Sequence, residues 1–397
     1  MINRVKEERR SSGLVHLHPP KKLVATFFVL AVIFLSSYCV AADYNYTYGL
    51  LDRPGGSTNY QLTVSVTSSL FDYYRDQDHN LYSYDFAKFV TPNSLKPIAD
   101  NLWNIYSEDE DFANGVLMIV HQIPYAESGP QKYPVETIVE NEGDCDLFSF
   151  IAASVMKAGG LDVVLLLFQE QSHMNVGVHL SEEPNDARSS VYYYTHDEKR
   201  YYVAECTGDD WRNGWRVGEC PDIIQGASAR IITLENCEQS SPGQVSSSYG
   251  ALDASSLSLT ISTRFVIAGR AVTMSGSVSP VLSDRNITFY VSSNGSPLSV
   301  LVTVVTDSNG RYSYMWHPSS AGVSSIRASW SGDVDYAGAD SSVCTLIVVP
   351  LEWLMMGITV IVLLIVLLVV TLTTRRKPAD ESENFEEWEV LEYPEYF

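Results

Sequence analysis

A long apolar run near the C-terminus constrains the fold of this chain more than any other feature. Residues 354–372 contain no charged side chain, and Arg375, Arg376 and Lys377 follow directly. About 20 consecutive apolar residues match the thickness of a bilayer when they are helical. Trp353 stands at the border of the run, where an indole suits the membrane interface. The run therefore predicts a transmembrane helix, and the basic cluster places its C-terminal side in the cytoplasm.

A second apolar run covers residues 23–42 and follows four basic residues, Arg9, Arg10, Lys21 and Lys22. Its length suits a retained signal anchor, whereas the small residues at 40–42 suit cleavage of residues 1–42 as a signal peptide. Both alternatives stay open. In either case residues 43–350 are expected outside the cell, and residues 373–397 form an acidic cytoplasmic tail.

Charge and composition exclude several classes of protein. The chain has 397 residues, with 48 acidic and 26 basic side chains and a net charge of −22. This acidity argues against a nucleic-acid binder, because the phosphate backbone would be repelled. The length predicts two or three domains, and 45% hydrophobic residues are ordinary for globular domains. Six cysteines are too few for a disulfide scaffold.

The patterning predicts two extracellular domains. Residues 60–238 begin with helical spacing and continue with strand patterns, which indicates an α+β domain with an antiparallel sheet. Residues 239–256 are rich in Ser and Gly and are interpreted as a linker. Residues 257–349 contain short β-type runs separated by turns such as Asp307-Ser308-Asn309-Gly310, which predicts a sandwich of about seven strands.

Cys145 is the strongest candidate for chemistry. It lies at the start of a predicted helix, residues 144–158. Gly159 and Gly160 follow and are expected to end this helix. Free backbone N–H groups and the helix dipole at such a position stabilise a thiolate. The flanking Asp144 and Asp146 oppose ionisation of the thiol, so that a basic partner is required.

His173 and Glu205 are the expected partners of Cys145. His173 opens a predicted strand, and a neutral imidazole there could take the thiol proton and return it to a leaving group. Glu205, on a neighbouring strand, could orient the imidazole. His179 is a rival for the histidine, and Asp209 is the alternative acid. A strand rises about 3.3 Å per residue, so His173 and His179 cannot both reach one thiol.

The order Cys, His, acid resembles the transglutaminase-like superfamily, which has a papain-like catalytic arrangement. The similarity extends over residues 60–238 and is closest to a microbial, archaeal, membrane-anchored branch. Superfamily members mostly have Asp as the third residue, where this chain has Glu205. The segments that carry the resemblance are Tyr133-Pro134-Val135-Glu136-Thr137, Gly143-Asp144-Cys145-Asp146, His173-Met174-Asn175-Val176-Gly177-Val178 and Tyr202-Val203-Ala204-Glu205-Cys206-Thr207.

The second domain resembles the prokaryotic surface immunoglobulin-like repeat, whose members typically serve as stalks or adhesive spacers. The likeness covers most of residues 257–349. It rests on the segments Ser275-Gly276-Ser277-Val278-Ser279-Pro280, Asp307-Ser308-Asn309-Gly310-Arg311-Tyr312-Ser313 and Ala328-Ser329-Trp330-Ser331-Gly332-Asp333.

These resemblances imply a cell-surface cysteine enzyme that acts on a peptide or on a glutamine side-chain amide. Cys145, His173 and Glu205 would form the triad, the Cys145 backbone N–H would contribute to an oxyanion hole, and Gln131 is a guess for the second donor. Hydrolysis is favoured over crosslinking, because water needs no second binding site. No cofactor or metal is expected, and the sequence shows no dedicated calcium loop. The alternative is a non-catalytic surface module that binds a cell-wall or surface-protein partner.

The remaining extracellular cysteines leave disulfide pairing open. A Cys206–Cys220 or a Cys220–Cys237 bridge suits the compartment. Cys344, on the last predicted strand, is expected to be a buried thiol.

Overall fold

The computed structural model describes residues 44–127 and 129–374. The N-terminal apolar run, both basic clusters and the acidic tail lie outside the described residues. The helices are α1 (Ser68–Arg75), α2 (Pro92–Leu102), α3 (Asp109–Val120), α4 (Pro134–Glu140), α5 (Cys145–Ala158) and α6 (Leu351–Thr374), with 3₁₀ turns at Phe86–Phe89, Gln169–Gln171 and Asp222–Ile224.

The strands of the first half are β1 (Tyr44–Leu51), β2 (Asn59–Val66), β3 (Asp162–Phe168), β4 (His173–His179), β5 (Tyr193–His196), β6 (Lys199–Ala204), β7 (Arg230–Thr233) and β8 (Ser246–Ser248). Those of the second half are β9 (Ser256–Leu257), β10 (Thr260–Ile261), β11 (Phe265–Ile267), β12 (Val272–Ser279), β13 (Asn286–Ser293), β14 (Ser299–Val305), β15 (Arg311–Trp316), β16 (Gly322–Gly332), β17 (Ala337–Asp340) and β18 (Cys344–Val349). The predicted combination of helices with antiparallel sheets is confirmed at this level.

The first unit is built around α5 and an antiparallel sheet of order β5-β6-β4-β3-β7. Apolar side chains of α5 share one buried core with alternate residues of β4, such as Val176 and Val178. The helix ends where the sequence predicts, because Gly160 takes a positive φ of 93° that favours glycine. The hairpin of β1 and β2 packs into the same core.

Two segments differ from their expected structure. The sequence pattern predicts a helix over residues 81–89, but residues 81–85 are not helical, because Ser83 and Tyr84 take positive φ values of 50° and 62°. Within the predicted linker, β8 pairs with β2 and extends the sheet of the first unit. The sequence separation between β2 and β8 explains why local patterning does not reveal this pairing.

The second unit has two sheets that share one core. One sheet has the order β10-β12-β15 with β9 beside β12, and the other has the order β11-β18-β16-β13-β14 with β17 beside β16. Pairing is antiparallel except between β11 and β18. Alternation of side chains along β13 buries Ile287 and Phe289 in the core.

Helix α1 of the first unit packs against the second unit through buried polar contacts. The backbone N–H of Ser69, in the first turn of α1, donates to Oδ2 of Asp340 at 2.6 Å. Asp340 therefore caps the helix from the other unit, where a carboxylate is favoured by the helix dipole. Arg327 on β16 donates to Oδ2 of Asp72 at 3.0 Å. These contacts fix α1 against the outer face of the larger sheet.

Helix α6 follows β18 with Pro350 between them. It has 24 residues, is apolar and exposed, and is long enough to cross a membrane.

Candidate functional site

Cys145 is the first residue of α5, and its thiol is partly exposed. Ser149, one turn later, donates to the carbonyl oxygen of Met174 at 3.1 Å, so the start of α5 lies against the start of β4. The Cys145 Sγ is 4.0 Å from the carbonyl oxygen of Ser172. Ser172 takes a positive φ of 49° as the chain turns into His173. The local geometry thus brings the helix tip next to the first residue of β4.

Gly143 allows the backbone before Cys145 to pair with a separate segment. Its N–H donates to the carbonyl of Pro124 at 3.2 Å, and its carbonyl accepts from Ala126 N–H at 2.7 Å. A Cβ at this position would lie 3.1 Å from Phe148 and from Thr137, a contact closer than ordinary packing. The pairing holds the exposed Tyr125 beside Cys145. Burial raises the pKa of the Tyr125 phenol, and the negative charge of Cys145 raises it further.

His173 contacts both Cys145 and Glu205. Its Nε2 lies 3.0 Å from Oε2 of Glu205, and Cys145 is close enough to raise the pKa of the ring. With Nε2 committed to Glu205, Nδ1 is the ring atom left for the thiol. The structure therefore brings together the three residues that the sequence singles out.

Glu205 is completely buried and accepts four hydrogen bonds. The register that pairs Val176 with Ala204 places Glu205 opposite Asn175. Its Oε2 accepts from His173 Nε2 at 3.0 Å and from Asn175 Nδ2 at 2.9 Å. Its Oε1 accepts from the backbone N–H of Thr207 at 2.9 Å and from the Thr207 hydroxyl at 2.5 Å. Burial raises the pKa of the Glu205 carboxyl, but the hydrogen bonds from His173 and Thr207 hold it below its ordinary value.

The electrostatics of the site favour a protonated imidazole. Burial lowers the pKa of His173, but hydrogen bonds with Cys145 and Glu205 and the charges of both groups outweigh it and raise the pKa to about 10. The ring therefore holds its proton at neutral pH, in place of the neutral base expected from the sequence.

Asp144 and Asp146 flank the thiol and interact with each other. Burial raises the pKa of Asp146, and a hydrogen bond with Asp144 and the charge of Asp144 raise it further, to about 7, while a hydrogen bond with Gln131 lowers it. A proton held by this pair lessens the negative charge that opposes a thiolate. The structure thus places Gln131, the expected oxyanion donor, beside the Asp146 carboxyl.

The two rival residues lie elsewhere. His179 is at the opposite end of β4, where its Nδ1 lies 2.9 Å from the carbonyl oxygen of Arg200. Asp209 is exposed in the wall of the adjacent cleft.

A cleft of about 860 Å³ opens beside His173. Its wall includes Thr207, Asp209 and several aromatic side chains, among them Tyr125 and Trp211. The buried His121 also lines it, and His121 Nε2 lies 2.9 Å from the backbone oxygen of Glu205. The cleft therefore lies against the residues that hold the carboxylate in place.

Sequence reasoning misses four residues of the site: Tyr125, His121, Asn175 and Thr207. Asn175 and Thr207 each lie two positions after a predicted site residue, a spacing that puts side chains on one face of a strand. That spacing could have identified them. Tyr125 and His121 reach the site through tertiary packing and have no such signal.

The cysteines Cys206, Cys220, Cys237 and Cys344 are free thiols. The disulfide alternatives Cys206–Cys220 and Cys220–Cys237 are thus not formed. Cys206 and Cys237 belong to the core that contains α5, whereas Cys220 belongs to a separate apolar cluster. Burial raises the pKa of the Cys206 thiol, which suits a packing role. Cys344 is partly exposed rather than buried.

Within residues 44–127 and 129–374, no group of three or more His, Cys, Asp or Glu side chains is arranged to hold a metal ion.

Comparisons with known proteins find no matching family model and no matching curated protein. Similar solved structures include a chitin binding domain from Burkholderia pseudomallei, with 16% identity over 22% of this chain and 57% of that one, at a TM-score of 0.18. The CARDB domain of a Pyrococcus furiosus protein in complex with di-metal ions has 15% identity over 24% of this chain and 87% of that one, at a TM-score of 0.18. The human F-spondin reeler domain has 14% identity over 23% of this chain and 89% of that one, at a TM-score of 0.17.

The chain thus spans little more than half of the chitin binding structure, and likenesses at these TM-scores carry no argument about fold or function.

Proposed function

We propose that this chain is a membrane-anchored cysteine hydrolase with a transglutaminase-like catalytic domain, acting outside the cell on peptide or glutamine amide bonds. The observation that carries the proposal is the convergence of Cys145, His173 and Glu205, with 3.0 Å between His173 Nε2 and Glu205 Oε2 and Cys145 close enough to raise the pKa of His173. A nucleophile at a helix N-terminus, a histidine and an orienting carboxylate are the groups that acyl transfer requires.

In the first step the Cys145 sulfur attacks the substrate carbonyl carbon and forms a carbon–sulfur bond. The negative charge on the carbonyl oxygen is stabilised by the Cys145 backbone N–H, with the Tyr125 hydroxyl as the second donor. The carbon–nitrogen bond then breaks, and the His173 imidazolium gives its proton to the leaving nitrogen.

In the second step a water molecule attacks the thioester carbon, and His173 takes the proton of this water. The carbon–sulfur bond breaks, and the product carboxylic acid leaves with the oxygen of water. Glu205 stays ionised and holds the His173 ring in orientation throughout.

For the second unit we propose an immunoglobulin-like sandwich that carries the catalytic unit next to the membrane. Two sheets around one core and the direct join between β18 and α6 support this role. The catalytic unit would face the exterior and residues 373–397 the cytoplasm.

The test is covalent labelling of the full chain in detergent with an electrophilic thiol probe, read by mass spectrometry. Labelling of Cys145 that is lost in Cys145→Ala and falls at least tenfold in His173→Ala supports the proposal. Cys344→Ser is the matched control, because it removes another partly exposed thiol. No labelling of Cys145 between about pH 5 and pH 9 overturns the enzyme and favours a non-catalytic binding module.

Ammonia release, peptide cleavage and incorporation of a primary amine then distinguish deamidase, peptidase and crosslinking activity. Cys145→Ala is the negative control in each assay.

A further inference from the structure

The cleft beside His173 has an aromatic wall that requires a glycine. Trp211 packs against Gly49 on β1, where a Cβ would lie 2.7 Å from an indole carbon. Any other residue at position 49 would displace the indole. The aromatic side chains that line the cleft are Tyr46, Tyr48, Tyr125 and Trp211.

The charges around this cleft are mainly negative. Its described lining residues include the Asp209 carboxylate and the His173 imidazolium, and no lysine or arginine. On the Cys145 side, Asp144, Glu127 and Asp146 lie near Tyr125. Their negative charges add to the effect of burial and raise the pKa of the Tyr125 phenol. Carboxylates beside aromatic faces form an environment that attracts a cation.

Arg212 shows that a cation already binds at this wall. Its guanidinium carbon lies 4.3 Å from the centre of the Trp211 ring, and its Nη1 donates to Asn59 Oδ1 at 2.8 Å. Arg212 therefore covers this face of Trp211, and that face is not open to a ligand.

Tyr48 adds an unused hydrogen-bond acceptor. Its side chain lines the cleft and is 3% exposed, and its hydroxyl has no hydrogen-bond partner among the described residues. A buried hydroxyl without a partner is costly. The N–H groups of an ammonium or guanidinium could donate to this oxygen.

We propose that the cleft binds a lysine or arginine side chain of the peptide whose carbonyl Cys145 attacks. This inference rests on the proposed function, and it adds the substrate class. Asp209 supplies the opposite charge, the tyrosines that line the cleft supply aromatic faces, and the position of His173 in the cleft wall places the bound side chain next to the reacting carbonyl.

The test uses the full-length Cys145→Ala variant, so that binding is measured without turnover. Fluorescein-labelled peptides contain one glutamine among alanines, and one neighbour of the glutamine is lysine, arginine, norleucine or glutamate. Anisotropy is expected to give a Kd at least fivefold lower for the lysine and arginine peptides than for the norleucine peptide, with the glutamate peptide weakest. Added salt should reduce these differences.

Asp209→Asn, added to Cys145→Ala, is expected to reduce the preference for lysine over norleucine at least threefold. Glu183→Gln makes the same change in net charge at an exposed residue that does not line the cleft, and should leave the preference unchanged. Equal Kd values for the four peptides, or equal effects of Asp209→Asn and Glu183→Gln, would overturn the proposal. Failure of the enzyme proposal is separate, because it appears as absent labelling of Cys145 while the binding preference persists.

Discussion

His173 Nε2 lies 3.0 Å from Oε2 of Glu205, a carboxylate that is completely buried and accepts three further hydrogen bonds. A buried carboxylate with this many donors stays ionised and has little freedom to rotate. Glu205 thereby fixes the orientation of the imidazole and raises its pKa. This pair explains how a glutamate can serve where most members of the resembled superfamily have an aspartate.

Glu205→Gln should lower activity and shift its pH dependence. The amide preserves size but removes the charge that raises the pKa of His173, so the alkaline decline of kcat/KM should move to lower pH. The expected loss in kcat is roughly 10²- to 10⁴-fold. Glu205→Asp retains the charge with a shorter side chain and should lose less. A Glu205→Gln variant with wild-type rates and pH profile would remove Glu205 from the mechanism.

Thr207→Val should disturb the site through Glu205. The substitution is nearly isosteric and removes the hydroxyl that donates to Oε1 at 2.5 Å. Loss of this donor raises the pKa of the Glu205 carboxyl, so the acid decline of kcat/KM should begin at higher pH. Thr207→Ser retains the donor and should restore the wild-type profile. Identical profiles for Val and Ser variants would contradict the positioning role.

Asp340→Ala should destabilise the join between the two units. It removes the acceptor of the Ser69 N–H and the more distant of two carboxylates near Arg327, at 4.0 Å, while Asp72 stays paired with Arg327 at 3.0 Å. Loss of this capping acceptor costs about 1–2 kcal/mol in the free energy of unfolding. Asp100→Ala, which breaks an exposed pair with Lys96, should cost less than about 0.5 kcal/mol. Equal unfolding midpoints in denaturant for both variants would show that the interface contact is unimportant.

Glu238→Gln should stabilise the protein at alkaline pH. Burial raises the pKa of Glu238 from 4.5 to about 7, against a lowering by the Tyr74 hydroxyl. From about pH 4.5 to pH 7 the folded state keeps a proton that the unfolded state has lost, so stability falls as pH rises. The amide removes this penalty and should add about 1–2 kcal/mol at pH 8, a value discounted for partial exposure, and almost nothing near pH 4.

Thermal unfolding at the two pH values measures this difference, with the exposed Glu183→Gln as control. A Glu238→Gln variant whose stability relative to wild type is the same at both pH values would contradict the assignment.

Local signals account for much of the fold around the site. Gly159-Gly160 ends α5, and β3 and β4 appear where the apolar pattern predicts strands. The site residues Cys145, His173 and Glu205 could be predicted from the sequence for the same reason, because each lies at the end of an element with a clear pattern. Tyr125 and His121 could not be predicted, since their positions depend on backbone pairing and packing between distant segments. The β2–β8 pairing is missed on the same ground.

The most direct measurement of the central claim is the rate of Cys145 alkylation by iodoacetamide as a function of pH, in the full-length wild type and in His173→Ala. Mass spectrometry assigns the modified residue, and Cys344 in the same samples serves as an internal reference. If His173 holds its proton next to the Cys145 sulfur, wild-type Cys145 should react at about pH 6 at least tenfold faster than in the variant. Equal rates for Cys145 in both proteins across the pH range would contradict the account.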